Sequence, residues 1–274
     1  MFYDDELNVA KSMIELMNGL TDLQSRLGTE FQLRGFVKAE LFTDAQASAM
    51  RRAGFRWLLT GFEAAHPRIL TNINKRASRE DNDSCVELAR KHGLKVKALM
   101  SVGHPGETEE SIAAISEWLI DSEVDDFDCS VITTYPGTPY YDEAVRHASL
   151  PGVWTYTYRK TGDRLHAYDV DYTRVAEYYK GNPDGGYHAY VFTDALDPKA
   201  LVGSAGIAVA RETFACWAIS LPWSHANDAF IISGRSLKNS MTASAVGSAC
   251  FEGRASSPVN PLIRSTSVAA HEVP

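Results

Sequence analysis

Apolar runs of strand length alternate with capped helical segments, and the sharpest instance lies at residues 95–119, KVKALMSVGHPGETEESIAAISEWL. Val96, Ala98, Leu99, Met100 and Val102 form a run without strict alternation, the pattern of a strand covered on both faces. Gly103-His104-Pro105-Gly106 ends it, and Thr108 follows as a helix N-cap. Glu109 and Glu110 then sit where the positive end of a helix favours carboxylates, and Ile112, Ile115 and Leu119 recur at helical spacing. Strand, turn and helix repeated in tandem dictate a parallel sheet with right-handed crossovers. The turn leaves backbone unshielded at the carboxyl end of a strand, where α/β folds bind small molecules. Taken alone, it is equally compatible with a loop chosen for geometry.

The same grammar runs on either side. Phe2-Tyr3-Asp4-Asp5 reads as the tail of a strand with two carboxylates at its tip, and Asn8 as the cap of a helix carrying Val9, Met13, Leu16, Leu20, Leu23 and Leu27 to Gly28. Residues 31–39 form the next strand, ending at Glu40. Thr43 with Gln46 makes a capping box for a helix that stops at Gly54. Residues 55–62 are a further strand, ending at Gly61 and Glu63, and Ser78 with Asp81 opens a helix that passes Val86 and Ala89 and closes at Gly93. After the 95–119 unit, residues 127–135 end in Tyr135-Pro136-Gly137. The fold expected from this pattern is α/β with a parallel sheet. If that sheet curls into a barrel, Asp4, Asp5, Glu40, Glu63, the Gly103 turn and the Tyr135 turn fall on one rim.

Residues 1–150 make up this region, and the pattern changes after it. Residues 154–158 alternate, 160–164 read as a turn, and 165–170 return antiparallel. A second turn at 182–186 precedes 187–192, so 151–199 is expected to be a small aromatic antiparallel appendage. Only 4 of the 35 acidic residues lie beyond residue 199, and Ala, Ser and Gly dominate there without a period, so 200–274 is expected to be poorly structured. It has the character of a fused or out-of-frame tail.

A formal charge of -8, with no basic run, excludes a general nucleic-acid surface. No apolar run reaches membrane-spanning length, and the first residues are not a signal peptide, which makes the cytoplasm the expected location. Cys85, Cys129, Cys216 and Cys250 are scattered, with no metal-ligand spacing.

The succession FYDD, RGFVKAE, AGFRWLLTGFE, GLKVKALMSVGHPGET and TTYPGTPYYDEA resembles the core of radical S-adenosylmethionine (SAM) enzymes. It is most similar to the cobalamin-binding-domain branch that includes proteins like the anaerobic magnesium-protoporphyrin ester cyclase and the methylthiotransferases. The resemblance covers residues 1 to about 147, is looser to about 197, and stops there. It implies a partial TIM-type (β/α)6 barrel, here lacking its first strand, in which a [4Fe-4S] cluster cleaves SAM reductively to a 5'-deoxyadenosyl radical acting on a small-molecule substrate. Cobalamin is a further candidate cofactor, held by a domain outside this sequence.

Residue by residue, the resemblance puts Asp4 and Asp5 near the SAM amino group, Glu40 facing the cofactor and Glu63 at the ribose. Gly103, His104, Pro105 and Gly106 fall beside the adenine, with Tyr135 and Pro136 closing the last strand. Ala64-Ala65-His66 replaces the family's Ser and Gly, and His66 reads as a helix-start residue rather than a ligand. The larger departure is the C-x3-C-x2-C loop, which is absent, so this sequence is expected not to hold the cluster and to be inactive alone in SAM cleavage. Two other readings stay open: a non-catalytic module binding SAM or a nucleoside, and a barrel hydrolase or lyase using Glu40 and Glu63 as acid and base.

Overall fold

The computed structural model describes residues 6–179 and 188–205. Asp4 and Asp5, the 182–186 turn and nearly all of the 200–274 tail lie outside them.

Four strands, β1 (Leu33–Phe36), β2 (Phe55–Glu63), β3 (Lys95–Val102) and β4 (Asp126–Val131), pair in parallel in chain order. Helices α1 (Met13–Leu27), α2 (Asp44–Arg52), α3 (Pro67–Asn72), α4 (Arg79–Lys91) and α5 (Glu109–Ser122) precede or connect them. The local capping signals hold in three dimensions. Thr43 with Gln46, Ser78 with Asp81 and Thr108 with Ser111 each close a two-way capping box. His66 caps α3, its Nδ1 accepting the backbone N–H of Arg68 at 3.2 Å.

Asn8 is not a helix cap. It lies in a short 3-10 turn, Leu7–Val9, and α1 begins only after Ser12. Its side chain pairs instead with a distant backbone: Nδ2 donates to Lys38 O and Oδ1 accepts from Lys38 N, both at 2.8 Å. The start of α1 shifts with it, so Met13 and Met17 face the core while Val9, Leu16 and Leu27 are exposed. The strand expected over 31–39 is correspondingly short, because Lys38 is engaged by Asn8 and Ala39–Leu41 turns into a second 3-10 segment. The strand expected over 127–135 ends at Val131, opposite Val102, where its partner bends away at Gly103.

A second, antiparallel sheet pairs β5 (Val145–Arg146), β6 (Val153–Thr157), β7 (Arg164–Tyr168) and β8 (Val191–Thr193) in that order. α6 (Pro139–Asp142) leads into it, and α7 (Tyr172–Tyr179) lies between β7 and β8. Its inner residues Tyr156, Leu165, Ala167 and Val191 belong to the same apolar cluster as Val102, Phe127 and Val131 of the parallel sheet. Each large apolar side chain withdrawn from water there contributes about 1.5–3 kcal/mol. On the helical side, Trp118 packs edge-on against Phe62 with centroids 4.8 Å apart, its indole N–H donating to Asp83 at 2.6 Å. Among the described residues no helix is long and apolar enough to cross a membrane.

Candidate functional site

The carboxyl ends of β2 and β3 carry the densest polar network. Glu63, the last residue of β2, has φ 65°, a left-handed conformation that costs a non-glycine residue roughly 1–2 kcal/mol. The β2–β3 register shifts between Gly61 and Glu63. The side chain folds back over Gly61, where an added Cβ would stand 2.7 Å from Glu63 Oε1. Lys75 holds the bulge by donating to Gly61 O at 2.7 Å, and its ammonium lies 3.9 Å from Glu63 Oε1.

Ser101, on β3, donates to Glu63 Oε2 at 2.5 Å, and its Oγ lies 2.8 Å from His104 Nε2. His104 is 6% exposed. Burial pushes its pKa down to about 4, so the ring is neutral near pH 7. On its other side the phenol of Tyr140, from α6, stands 3.4 Å from Nδ1. Beneath this network, Glu107 is fully buried and accepts from the backbone N–H of Gly103 (2.7 Å) and of His104 (3.0 Å) and from Ser111 Oγ (3.2 Å). Burial pushes its carboxyl up to about 7, and those hydrogen bonds restrain the rise.

Glu40 sits in the turn after β1, with Lys38 3.7 Å from its Oε1. Its Oε2 is buried and has no hydrogen-bond partner among the described residues. Gly103 and Gly106 both have positive φ, at 95° and 78°. The space their missing Cβ atoms leave is filled by the chain itself: Val191 Cγ2 would lie 2.9 Å from a Cβ at Gly103, and Asp163 Cγ 2.5 Å from one at Gly106. Asp163, at the tip of the β6–β7 hairpin, also pairs with Arg68 (Nε to Oδ2 2.8 Å) and accepts from Asn72 Nδ2 at 2.8 Å. Asn72 Nδ2 donates as well to Pro105 O, at 2.7 Å. The hairpin is thus fastened to the turn.

The structure therefore brings Glu63 and His104 into one network, with Gly103 tied to it through Glu107. Pro105 and Gly106 are held from the hairpin side, and Glu40 stands at the end of the neighbouring strand. Tyr135 and Pro136 are exposed on the turn after β4, where Tyr135 stacks on Tyr172 with centroids 6.1 Å apart, outside the network. Ser101, Glu107 and Tyr140 were missed from sequence. Only Glu107 carries a local signal, a carboxylate directly after a glycine turn whose N–H groups need an acceptor.

Among the described residues no group of three or more His, Cys, Asp or Glu could hold a metal ion. Cys85 and Cys129 are separate thiols, each pushed up to about 12 by burial.

Residues 2–119 match the model of the Radical SAM superfamily. Bacteriochlorophyllide d C-12(1)-methyltransferase of Chlorobaculum tepidum is 27% identical over 191 residues, covering 66% of this chain and 40% of that protein. A protein of Pyrococcus horikoshii named as an uncharacterized methyltransferase is 30% identical, covering 45% and 27%. The chain spans less than half the length of these relatives. Among solved structures, the radical S-adenosylmethionine methyltransferase TsrM of Kitasatospora setae, with cobalamin and a [4Fe-4S] cluster bound, superposes with a TM-score of 0.49 and 21% identity over 56% of this chain and 30% of that one. The match to the Radical SAM superfamily spans less than half of this chain.

Proposed function

We propose that this chain supplies the nucleoside-binding rim of a radical SAM enzyme that transfers a methyl or methylthio group to a small molecule. One observation carries the reading: Glu63 is held in a strained backbone at a strand end, with one carboxylate oxygen taken by Ser101 and the other accepting no hydrogen bond from the described residues. A strained carboxylate fixed at a rim suits a ligand hydroxyl, and the unpartnered Glu40 Oε2 next along the sheet suits an ammonium or a second hydroxyl. These would hold the ribose and amino-acid ends of SAM. Asp4 and Asp5 would lie on the amino side, the backbone of Gly103, His104, Pro105 and Gly106 by the adenine, and Tyr135 and Pro136 at the far edge.

The strictly sequential strand order supports a partial (β/α)6 barrel over a doubly wound sheet, in which the order reverses. The names of the relatives, methyltransferases and methylthiotransferases, support the transfer chemistry. SAM supplies the transferred or radical-forming group when bound. Cobalamin is the second cofactor we propose for the reaction, held by residues outside this chain. The family's cluster needs three thiolates, and the described cysteines do not fit it, so we assign no step to a cluster on these residues.

Titrating the full chain with S-adenosylhomocysteine in a calorimeter tests the reading. Saturable binding is expected, weakened about tenfold or more by Glu63→Gln, since a hydrogen bond to a charged group is worth about 1.5–3 kcal/mol. Absence of binding by both SAM and S-adenosylhomocysteine would overturn it.

A further inference from the structure

The hydrogen-bond arrows in the Glu63 network can be assigned by counting protons. The Glu63 carboxylate accepts only, so Ser101 spends its single proton on Oε2 across 2.5 Å. Ser101 Oγ is then an acceptor toward His104, and the proton of that ring must lie on Nε2, 2.8 Å away. The buried ring is neutral, so Nδ1 is a bare lone pair, and the contact with Tyr140 at 3.4 Å is O–H donating to Nδ1. Burial pushes the Tyr140 phenol up, which keeps it a donor. Every arrow points to Glu63.

We propose that Tyr140, His104 and Ser101 form a directional hydrogen-bond relay ending on Glu63, with His104 and Ser101 as positioning residues for the carboxylate that receives a ligand hydroxyl. The relay fixes which carboxylate oxygen stays available: Oε2 is engaged, while among the described residues Oε1 faces only the Lys75 ammonium at 3.9 Å. A ligand presenting a hydroxyl proton, such as a ribose, fits that vacancy in the hydrogen-bond pattern, whereas a carboxylate or phosphate meets repulsion. The choice of a nucleoside as ligand rests on the function proposed above; the polarity of the relay does not.

Two readouts on the full chain test the relay. In long-range proton–nitrogen spectra of the 15N-labelled protein at neutral pH, His104 is expected as the neutral Nε2–H tautomer, and Ser101→Ala is expected to abolish that preference. In calorimetry, His104→Leu is expected to weaken S-adenosylhomocysteine about tenfold, roughly one charge-assisted hydrogen bond. His104→Gln, which keeps a donor toward Ser101 and an acceptor toward Tyr140, should bind within about twofold of wild type, because both links survive. Should His104→Leu not fold, Tyr140→Phe and Ser101→Ala take its place, the second weakening binding more than the first. A wild-type His104 protonated on Nδ1, or Leu and Gln variants that bind alike, would overturn the relay. If wild type binds no S-adenosylhomocysteine, the proposed function fails and the tautomer measurement still decides the relay.

Discussion

His104 and Glu107 are three residues apart, both buried, and shifted in opposite directions, which allows a sharp test by pH. The His104 pKa falls from its ordinary 6.5 to about 4, and that of Glu107 rises from 4.5 to about 7, each by burial. For Glu107 the native state binds more protons than the unfolded chain between these limits. Its contribution to stability is therefore fully present below pH 4.5 and is lost as pH rises through about 7. For His104 the unfolded chain binds more protons, so its contribution is present above pH 6.5 and is lost as pH falls through about 4. Each span is roughly 2.5 pH units, on the order of 3 kcal/mol. The two slopes oppose one another between about pH 4.5 and 6.5, so in the wild type they nearly cancel.

Replacing one group at a time exposes the other. Urea unfolding at half-unit pH steps would give the stability of wild type, Glu107→Gln and His104→Gln. Wild type minus Glu107→Gln is expected to fall by on the order of 3 kcal/mol from pH 4.5 to 7. Wild type minus His104→Gln is expected to rise by a similar amount from pH 4 to 6.5. Glutamine keeps acceptors for the turn N–H groups in the first case and both hydrogen-bond links in the second, so packing changes enter as pH-independent offsets. Differences that stay flat across both windows would refute the claim that these groups are held in the charge states their burial dictates.

Other predictions concern how the site is held. Gly61→Ala places a methyl group 2.7 Å from Glu63 Oε1, the mobile end of a side chain, so stability is expected to change by less than about 1 kcal/mol while S-adenosylhomocysteine binding is lost; calorimetry and urea melts together check this. Gly106→Ala meets Asp163 Cγ at 2.5 Å at a φ of 78°, and is expected to cost about 1–3 kcal/mol and to loosen the β6–β7 hairpin, seen as faster amide exchange at Arg164. Asn8→Ala removes both links to the Lys38 backbone, and is expected to cost about 1–3 kcal/mol in thermal or urea unfolding.

What was legible in the sequence follows the distance over which each signal acts. The boxes at Thr43, Ser78 and Thr108 pair residues three apart, so the letters contain both partners. Asn8 has the same cap chemistry, but its partner is Lys38, 30 positions away, and nothing local separates the two outcomes. Strand ends fail for a related reason: 127–135 is apolar enough to continue, yet a strand lasts only as long as its neighbour, and β3 stops at Val102. Glu40 and Glu63 were legible as strand-end carboxylates because each follows an apolar run. Tyr140 and Ser101 were not, because their roles depend on where His104 points.

The glycine turn shows how far that reasoning reaches. Its open backbone reads as room for a ligand, yet Val191 and Asp163 stand where the Cβ atoms of Gly103 and Gly106 would be. Thr193 Oγ1 also donates to Glu107 O at 2.8 Å, and Gly106 N donates to Arg164 O at 3.4 Å. These contacts all come from the antiparallel sheet, beyond residue 119 where the superfamily match ends. The turn therefore has two faces with different requirements: glycine toward the second sheet, for packing, and buried polar side chains toward Glu63, for the hydrogen-bond relay. A change in the second sheet that pushes on Gly103 or Gly106 must move His104, and through Ser101 the Glu63 carboxylate. On that argument residues far outside the matched domain set the geometry of its rim, and substitutions at Val191 or Asp163 should alter ligand binding without touching the ligand.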